Sequence, residues 1–415
     1  MFNLLYTPII ISAFYIAKGL RFFFPKIKKQ IESRDLDTIR STFLSRESKP
    51  YIVFFCSSAG EFEQALPLIQ LLEMQFSIHV FFFSSSGLDF AKKHPRTFSY
   101  SLSPIDTIAS WKQLYDTLSP KFTVVIRHEL WPNFLNTAAR YGKVFLINIT
   151  FSQTSKTGFS SYLRDKTKAA LLYHHIDHFY CATDSDKKGL LDRFPSLSDK
   201  TSVTGDTKFD RVIQRKQAAN LLAVDPLKKH LRQKVLLVGS GYKEDLEWIL
   251  SAHKNINKDQ WTVLFVPHIL TDSYLAELSE QILDGNSSAI LFSQITEGDH
   301  PDFLVFDKMG MLAELYSLAN CAWVGGAIHN KVHNVLEPLA YNIPIAFGPN
   351  FINSREALQL VEIGAVYPCS DSKQLEKWWV SFDSSSVGEY NFKLDDYTGA
   401  AKAIYEKISA IAGTN

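Results

Sequence analysis

The sequence predicts an α/β protein with two Rossmann-like, doubly wound parallel sheets. Three observations lead to this prediction. Continuously apolar runs rich in β-branched and aromatic residues recur along the chain, which is typical of parallel strands covered on both faces. Helix-like segments separate these runs, as in repeated βαβ units. The chain has 415 residues, more than one ordinary core accommodates, so two domains are expected.

The strand-like runs fall into two cycles, one after residue 50 and one after residue 234. The first cycle predicts strands at residues 51–57, 78–83, 122–126 and 144–149. Helical spacing predicts a helix at residues 65–74. The second cycle predicts strands at residues 235–238, 262–266, 303–306, 321–324 and 343–347.

The polar, charge-rich stretch at residues 208–232 is the expected junction between the two domains. The predicted boundaries are 1–30 for an N-terminal anchor helix with a basic flank, 31–207 for the first α/β domain, and 208–415 for the second. A strong helix is predicted at residues 397–412, and its pattern allows packing on either domain.

Composition excludes several classes of function. A net charge of +1 argues against a broad nucleic-acid surface, which needs a large basic excess. The four cysteines are widely spaced and lack a CxxC pair, so we expect buried free thiols rather than disulfides or a zinc site. These cysteines are Cys56, Cys181, Cys321 and Cys369.

The N-terminal residues differ in composition from the rest of the chain. Residues 4–20 are almost continuously apolar, and Lys18, Arg21, Lys26, Lys28 and Lys29 follow or interrupt the run. A cleavable signal peptide has the reverse order, with its charges first. We therefore expect an uncleaved membrane anchor or a helix lying in the interface, with the basic flank on the cytoplasmic side. The alternative is a helix packed on the protein's own surface.

A strand-to-helix turn at Ser58-Ala59-Gly60-Glu61 follows the first predicted strand. In an open α/β sheet this turn lies at the carboxyl edge, where ligands bind. A carboxylate in the first helical turn stays ionised and can accept a proton, as the attack of a sugar hydroxyl requires. The alternative is that Glu61 merely caps the helix.

Gly325-Gly326 follows the predicted strand at 321–324 and allows backbone to approach a phosphate. Asn334-Val335-Leu336-Glu337-Pro338 comes next. One interpretation has Asn334 as N-cap and Glu337 at N3 of a capping box. The other has Glu337 accepting hydrogen bonds from the ribose hydroxyls of a nucleotide, and both can hold.

Three further residues are candidates for anion binding. His268 ends a predicted strand, Ser240 lies in a Gly-Ser-Gly turn, and Lys208 lies at the domain junction. Lys208 would offset the charge of a leaving phosphate. The alternatives are a structural histidine, an ordinary turn and a solvated linker lysine.

Taken in order, these segments resemble the bacterial 3-deoxy-D-manno-octulosonic acid (Kdo) transferase family. The most specific are SSAGEFEQALPLI at residues 57–69, VTGDTKFD at 203–210 and VGGAIHNKVHNVLEPLAYNIPIAFGPNF at 324–351. The others are HELWPN at 128–133, NITFSQTS at 148–155, VGSGYKED at 238–245, VPH at 266–268 and DKMGMLAELY at 307–316. The resemblance implies the GT-B fold, two domains facing a cleft. It also implies inverting transfer of Kdo from CMP-Kdo to a lipid A precursor, without a nucleotide-bound metal or other cofactor.

The same resemblance implies roles for individual residues. Glu61 would be the general base, Gly60 part of its turn, and Glu129 a support on the acceptor side. The residues that would bind CMP-Kdo are Lys208, Ser240, His268, Gly325, Gly326, Asn334 and Glu337.

The chain departs from the family pattern at several positions. Arg127 stands where relatives usually have an acidic residue, Thr150 and Thr154 where they have Arg, and Tyr242 where they have His. Relatives also read Pro-Arg-His where this chain reads Pro267-His268. One cation that would contact the donor phosphate is therefore absent from that motif.

The expected activity is a Kdo transferase anchored on the cytoplasmic face of the bacterial inner membrane, with CMP-Kdo, a lipid A precursor and the membrane surface as its partners. One alternative is another GT-B enzyme, either a UDP-sugar transferase or a nucleotide-sugar 2-epimerase. The other is a catalytically silent scaffold on the membrane.

Overall fold

In the computed structural model the described residues are 2–20, 31–43, 49–93, 97–127, 130–151, 167, 171–382 and 392–413. They form two compact units. The first comprises Met1–Arg211 and Tyr397–Asn415, and the second comprises Val212–Asp396.

The first unit is built on a parallel seven-stranded sheet in the order β3-β2-β1-β4-β5-β6-β7. Its strands are β1 (Tyr51–Cys56), β2 (Ser77–Phe82), β3 (Ser99–Leu102), β4 (Phe122–Ile126), β5 (Lys143–Ile149), β6 (His178–Cys181) and β7 (Thr201–Val203). Its helices are α1 (Phe2–Leu20), α2 (Leu36–Arg40), α3 (Ala59–Leu72), α4 (Ser85–Ala91), α5 (Ile108–Leu118), α6 (Pro132–Tyr141) and α7 (Asp184–Arg193). Helix α8 (Thr207–Ala218) contains the unit boundary.

The second unit contains another parallel seven-stranded sheet, in the order β10-β11-β9-β8-β12-β13-β14. Its strands are β8 (Lys234–Gly241), β9 (Trp261–Pro267), β10 (Ala289–Leu291), β11 (Phe303–Val305), β12 (Cys321–Val324), β13 (Ile345–Phe347) and β14 (Tyr367–Pro368). Its helices are α9 (Lys243–His253), α10 (Asp272–Asp284), α11 (Leu312–Leu315), α12 (Leu336–Leu339), α13 (Arg355–Glu362) and α14 (Ser372–Val380). The last helix, α15 (Ala400–Ala412), returns to the first unit.

A separate hydrophobic cluster of described residues covers each face of each sheet. This explains the continuously apolar strands, because residues of both pleat directions are buried. The prediction of two parallel α/β sheets is confirmed, and all nine predicted strands are present within a few residues of their predicted bounds.

Strand β3 was not predicted because its sequence, SYSL, is polar. Its serines are buried against His79 of β2, whose two ring nitrogens lie 2.8 Å from Ser99 Oγ and 3.0 Å from Ser101 Oγ. Burial lowers the pKa of His79 to about 3, so the imidazole is neutral in this network.

The C-terminal helix packs on the first unit. Ile404 and Ile408 are fully buried in the cluster that covers one face of the first sheet. Asp210 accepts hydrogen bonds from the N–H groups of Gly399 (2.6 Å) and Ala401 (3.0 Å) at the start of α15. The second unit therefore ends before this helix and begins after Arg211, which corrects the predicted range of 208–415.

The apolar N-terminal run forms helix α1 as predicted. Tyr6 donates a hydrogen bond to Asp106 at 2.9 Å, and Thr7 lies against Asn133, so one side of α1 contacts the first unit. Ile9, Tyr15 and Ile16 are each about two-thirds exposed. Within the described part of the chain, no helix has both the length and the hydropathy to cross a bilayer.

All four cysteines are buried free thiols, as expected from their spacing.

Candidate active site

Both sheets reverse their strand order next to their first strand, between β1 and β4 in one unit and between β8 and β12 in the other. Open parallel sheets bind ligands at the carboxyl ends of the strands at such a reversal. Glu61 follows β1, Ser240 lies at the end of β8, and Gly325 follows β12. The topology thus places predicted site residues at the carboxyl edge of the sheet in each unit.

Glu61 lies in the first turn of α3, which Ser58 caps. Ser58 Oγ accepts the N–H of Glu61 at 3.4 Å, and Glu61 Oε2 accepts the backbone N–H of Ser57 at 2.5 Å. The capping interpretation is therefore realised in the structure. It does not exclude a base, because a carboxylate has two oxygens and about four lone-pair sites. Anchoring one oxygen also fixes the direction of the half-buried group.

The surroundings of Glu61 bear on its charge and its access. Burial, and secondly the Glu61 carboxylate, raise the pKa of the Cys56 thiol well above its usual value. Cys56 therefore stays protonated and does not compete as a nucleophile. Gly60 is exposed, and among the described residues a Cβ built on it would meet only Ser58 Oγ, at 4.0 Å. No other described residue fills the space in front of this turn.

A polar network joins the carboxyl end of β5 to the helix that carries Glu61. Asn148 donates to Thr207 Oγ1 at 2.6 Å and accepts the N–H of Thr207 at 3.2 Å. Thr207 in turn donates to the carbonyl of Gln64 in α3 at 2.6 Å. Asn148 has φ +54° and Arg127, after β4, has φ +60°. Such left-handed backbone in non-glycine residues is concentrated at functional sites.

Lys208 follows Thr207 in the chain and lies in the first unit rather than in the second. Its ammonium is 3.5 Å from Asp206 Oδ2, and Arg127 Nη2 is 3.9 Å from the same oxygen. Lys208 is 5% exposed and lies over the Phe209 ring. The interpretation of Lys208 as a solvated linker lysine is wrong, because the side chain is buried. Its contact with a donor phosphate stays a prediction.

Glu129, predicted to support the acceptor side, lies outside the described residues, as does His128. Trp131 and Pro132 of the same motif are described and begin helix α6.

In the second unit, Gly239-Ser240-Gly241 closes strand β8 with a register shift and φ +54° at Ser240. Here the glycines are required by packing. A Cβ on Gly239 would lie 2.2 Å from the Tyr316 hydroxyl, and one on Gly325 would lie 2.5 Å from the carbonyl oxygen of Ser240. The loops after β8 and β12 therefore approach each other closely.

Asp245 is the centre of this edge, and the sequence pattern did not single it out. The residue is 1% exposed. Its carboxylate accepts hydrogen bonds from Trp323 Nε1 (2.9 Å) and from the N–H groups of Gly326 (3.0 Å) and Tyr242 (2.9 Å). Burial raises the pKa of Asp245, and these hydrogen bonds oppose that shift.

This geometry corrects the expectation that the N–H groups of Gly325 and Gly326 face a phosphate. The N–H of Gly325 donates to the carbonyl of Gly239 at 2.9 Å, and that of Gly326 donates to Asp245. Both groups are used within the protein. Any contribution of these residues to donor binding is through the shape of the loop.

Three rings stack beside this loop. The His333 ring centroid is 4.4 Å from that of His268 and 5.6 Å from that of Tyr242. Burial, then the charges of His268 and Lys331, lower the pKa of His333. His333 Nε2 is buried and has no hydrogen-bond partner among the described residues. The sequence pattern selected His268 but not His333, which stands inside a polar loop.

Asn334 and Glu337 do not form the expected capping box. Helix α12 begins at Leu336, and Asn334 Oδ1 accepts the N–H of Leu336 at 3.0 Å. Glu337 Oε1 accepts a hydrogen bond from Arg215 Nη1 at 2.8 Å. Arg215 lies 122 residues earlier in the chain, so the pairing had no local sequence signal. No group of His, Cys, Asp and Glu within the described ranges is arranged to hold a metal ion.

Residues 31–211 match the family model described as "3-Deoxy-D-manno-octulosonic-acid transferase (kdotransferase)". The 3-deoxy-D-manno-octulosonic acid transferase of Rickettsia bellii (strain RML369-C) is 26% identical over 343 residues, which is 78% of each chain. That of Chlamydia trachomatis serovar D is 26% identical over 373 residues, covering 85% of this chain and 83% of the relative.

The fold is also found in solved structures. The UDP-GlcNAc 2-epimerase from Neisseria meningitidis bound to UDP-GlcNAc superposes with a TM-score of 0.59 at 14% identity. The match covers 87% of this chain and all of that one. At this identity the similarity supports the α/β fold alone.

Proposed function

We propose that this chain is a glycosyltransferase like the Kdo transferases it resembles, and that it moves Kdo from CMP-Kdo to a hydroxyl of a lipid A precursor with inversion. The observation that carries this proposal is the Glu61 carboxylate, held by the Ser57 N–H at the binding edge of the first sheet. The Rickettsia bellii and Chlamydia trachomatis 3-deoxy-D-manno-octulosonic acid transferases each match about four-fifths of the chain, and they support the proposed substrate class.

The position of Glu61 supports a role as general base. As the acceptor oxygen attacks the anomeric carbon of Kdo, the carboxylate takes the hydroxyl proton. The bond from that carbon to the phosphate oxygen breaks, and CMP departs with the bonding electrons. The helix N-terminus favours the charged, basic form of Glu61 by about 0.3–1 kcal/mol.

The second unit is proposed to hold the donor. Glu337 offers a carboxylate for the two ribose hydroxyls, and Arg215 fixes its orientation. His268 and His333 offer imidazole N–H donors near the end of β9 and in the loop after β12, where they would hydrogen-bond to a phosphate or to the Kdo carboxylate. Ser240 and Asn334 complete the predicted donor contacts. No metal or other cofactor is included in the proposal.

The proposed location is the cytoplasmic face of the bacterial inner membrane. The exposed apolar side chains of Ile9, Tyr15 and Ile16 support it, because an apolar helix surface gains by entering the lipid interface. Lys18 and the basic residues that follow it in the sequence would favour anionic headgroups.

The test is a transfer assay with CMP-Kdo and a lipid A precursor, run on the wild type, Glu61→Gln and Glu63→Gln. Glu63 lies on the same helix and pairs with Arg211 at 2.9 Å, which makes it a matched control. We expect Glu61→Gln to lose at least about 10²-fold in kcat and Glu63→Gln to stay near the wild type. Near-normal turnover in Glu61→Gln would remove the base assignment.

Two other outcomes separate the alternatives. Product formed from a UDP-sugar but not from CMP-Kdo would favour the UDP-sugar transferase or epimerase. Absence of product from every donor in a folded wild-type protein would favour the silent scaffold.

A further inference from the structure

A cavity of about 320 Å³ opens in the first unit next to helix α1. Phe55 from β1, Phe83 after β2, and Trp111 and Trp131 form aromatic walls, and Ile10 of α1 and Ile105 also line it. Its volume is at the lower end of the range for ligand pockets, about 300–1,000 Å³. The cavity lies at the carboxyl edge of the same sheet whose first strand leads to Glu61.

The aromatic walls are fixed by packing. Phe83 stacks on Trp131 with ring centroids 4.9 Å apart, and Phe55 and Trp111 are each 1% exposed. Trp111 Nε1 donates to Asp106 Oδ1 at 2.8 Å, which sets the plane of its indole. The pocket is therefore preformed, which lowers the entropic cost of binding an apolar group.

One cation lines the cavity without a neutralising carboxylate. Arg34 donates to the carbonyl of Ser103 (2.7 Å), to Ser103 Oγ (2.9 Å) and to the carbonyl of Phe83 (2.5 Å). Among the described residues it makes no ion pair, and its guanidinium lies over the Phe83 ring. The Asp106 carboxylate also lines the pocket, but Tyr6, Trp111 and two backbone N–H groups already donate to it.

A second polar group points to a ligand. The indole N–H of Trp131 is buried and has no acceptor in the part of the chain that the structure describes. A buried donor without a partner costs free energy unless a ligand or water satisfies it. Arg34 and Trp131 together offer positive charge and a donor to an anionic or ester oxygen.

We propose that this cavity binds one acyl chain of the lipid acceptor, with Arg34 and the Trp131 N–H binding the ester or phosphate oxygens at the end of that chain. The proposal rests on the proposed function, since it assumes a lipid acceptor. Ile10 belongs to the same helix as the exposed Ile9, Tyr15 and Ile16, so the pocket adjoins the surface proposed to enter the membrane. A chain drawn from that surface would hold the acceptor at the edge of the sheet that carries Glu61.

The first test compares Ile10→Phe, which fills the cavity, with Ile9→Phe. Ile9 is one residue earlier on α1 and 64% exposed, so it controls for added bulk on this helix. For an acylated acceptor we expect Ile10→Phe to raise KM about tenfold, equivalent to about 1.4 kcal/mol, with the KM for CMP-Kdo unchanged. For a deacylated acceptor the two variants should not differ. Equal KM values for the acylated acceptor would overturn the proposal.

The second test needs no transfer. A single-chain anionic lysophospholipid with bromine on its acyl chain should quench part of the tryptophan fluorescence of the full-length wild type in a saturable way, because Trp111 and Trp131 line the cavity. Ile10→Phe should weaken the apparent affinity, Ile9→Phe should not, and Arg34→Gln should weaken it for the anionic lipid but not for an uncharged analogue. Quenching that does not saturate, or that is equal in both isoleucine variants, would contradict the proposal.

The two tests distinguish failure of the acyl-chain site from failure of the proposed function. A wild type that binds the brominated lipid but transfers no Kdo would remove the proposed function and leave a lipid-binding cavity. A wild type that transfers Kdo while both isoleucine variants behave alike would remove only the acyl-chain site.

Discussion

Gly60 in the first unit and Gly325 in the second both stand just beyond a buried parallel strand, yet their surroundings differ. Among the described residues, a Cβ on Gly60 would meet nothing nearer than Ser58 Oγ at 4.0 Å, whereas one on Gly325 would meet the Ser240 carbonyl, the Asp245 carboxylate and the Gly241 backbone within 3 Å. The first edge is thus open around a half-buried carboxylate. The second is closed around a fully buried one. A glycine after a strand therefore leaves room beside the Glu61 carboxylate in the first unit, whereas in the second unit it allows two loops to pack against each other.

We expect the largest loss of stability from Gly325→Ala, at the closed edge of the second unit. The added methyl would overlap backbone atoms that belong to two loops, and overpacking of this kind costs about 1–3 kcal/mol or more. We expect a lower midpoint for thermal unfolding of the second unit and weaker CMP-Kdo binding. Scanning calorimetry of the full-length protein measures the first effect. An unchanged unfolding profile would show that the loops after β8 and β12 are not tightly packed.

The next effect concerns the buried carboxylate of the closed edge, in Asp245→Asn. One amide cannot accept all three hydrogen bonds as the carboxylate does, so we expect a loss of about 1–3 kcal/mol. The pH dependence adds a second signature. Since burial raises the folded-state pKa of Asp245, this group's contribution to stability is present at low pH and is lost as pH rises through that pKa. The wild type should show this loss and Asp245→Asn should lack it; parallel pH profiles of unfolding would contradict the assignment.

Glu61 and Asp245 show which features of the two edges can be predicted from the sequence. Continuous apolar runs such as YIVFFC predict buried parallel strands, because only strands covered on both faces tolerate them. Glu61 was predictable since it follows such a strand at a helix start. Asp245 was not, because it stands in a charged run, Lys-Glu-Asp, and its burial depends on contacts from β12 about 80 residues away.

The same limit applies to partners distant in the chain. The Asn-x-x-Glu pattern left open whether Glu337 completes a capping box or binds ribose hydroxyls, and it gave no sign of Arg215, which is its partner in the structure. His333 was hidden in a polar loop, and only the fold stacks it on His268. Whether a residue lies at the end of a strand can be predicted from its neighbours in the sequence. Which residue it contacts across the edge of the sheet cannot.

A smaller change is expected in donor affinity when Glu337, in the second unit, is substituted. We expect Glu337→Gln to weaken CMP-Kdo binding about tenfold, or about 1.4 kcal/mol, because an amide accepts hydrogen bonds from two ribose hydroxyls less well than a carboxylate. Arg215→Gln leaves the carboxylate in place and should weaken binding less. Isothermal titration with CMP, which carries the same ribose as CMP-Kdo, measures both losses. A larger loss in Arg215→Gln would mean that the arginine, rather than Glu337, contacts the nucleotide.

The smallest expected change in stability is on the open edge, in Gly60→Ala. Gly60 has room for a methyl group and lies in the first turn of α3, where alanine is favoured over glycine by about 0.5–1 kcal/mol. The variant should therefore fold at least as well as the wild type in calorimetry. Transfer should nevertheless fall, with a raised KM for the lipid acceptor, because the methyl occupies the space through which a hydroxyl would reach Glu61. Stability and activity would then change in opposite directions, which a purely structural glycine cannot produce. A stable variant with unaltered kinetics would show that the acceptor reaches Glu61 from another side, and the openness at Gly60 would lose its functional meaning.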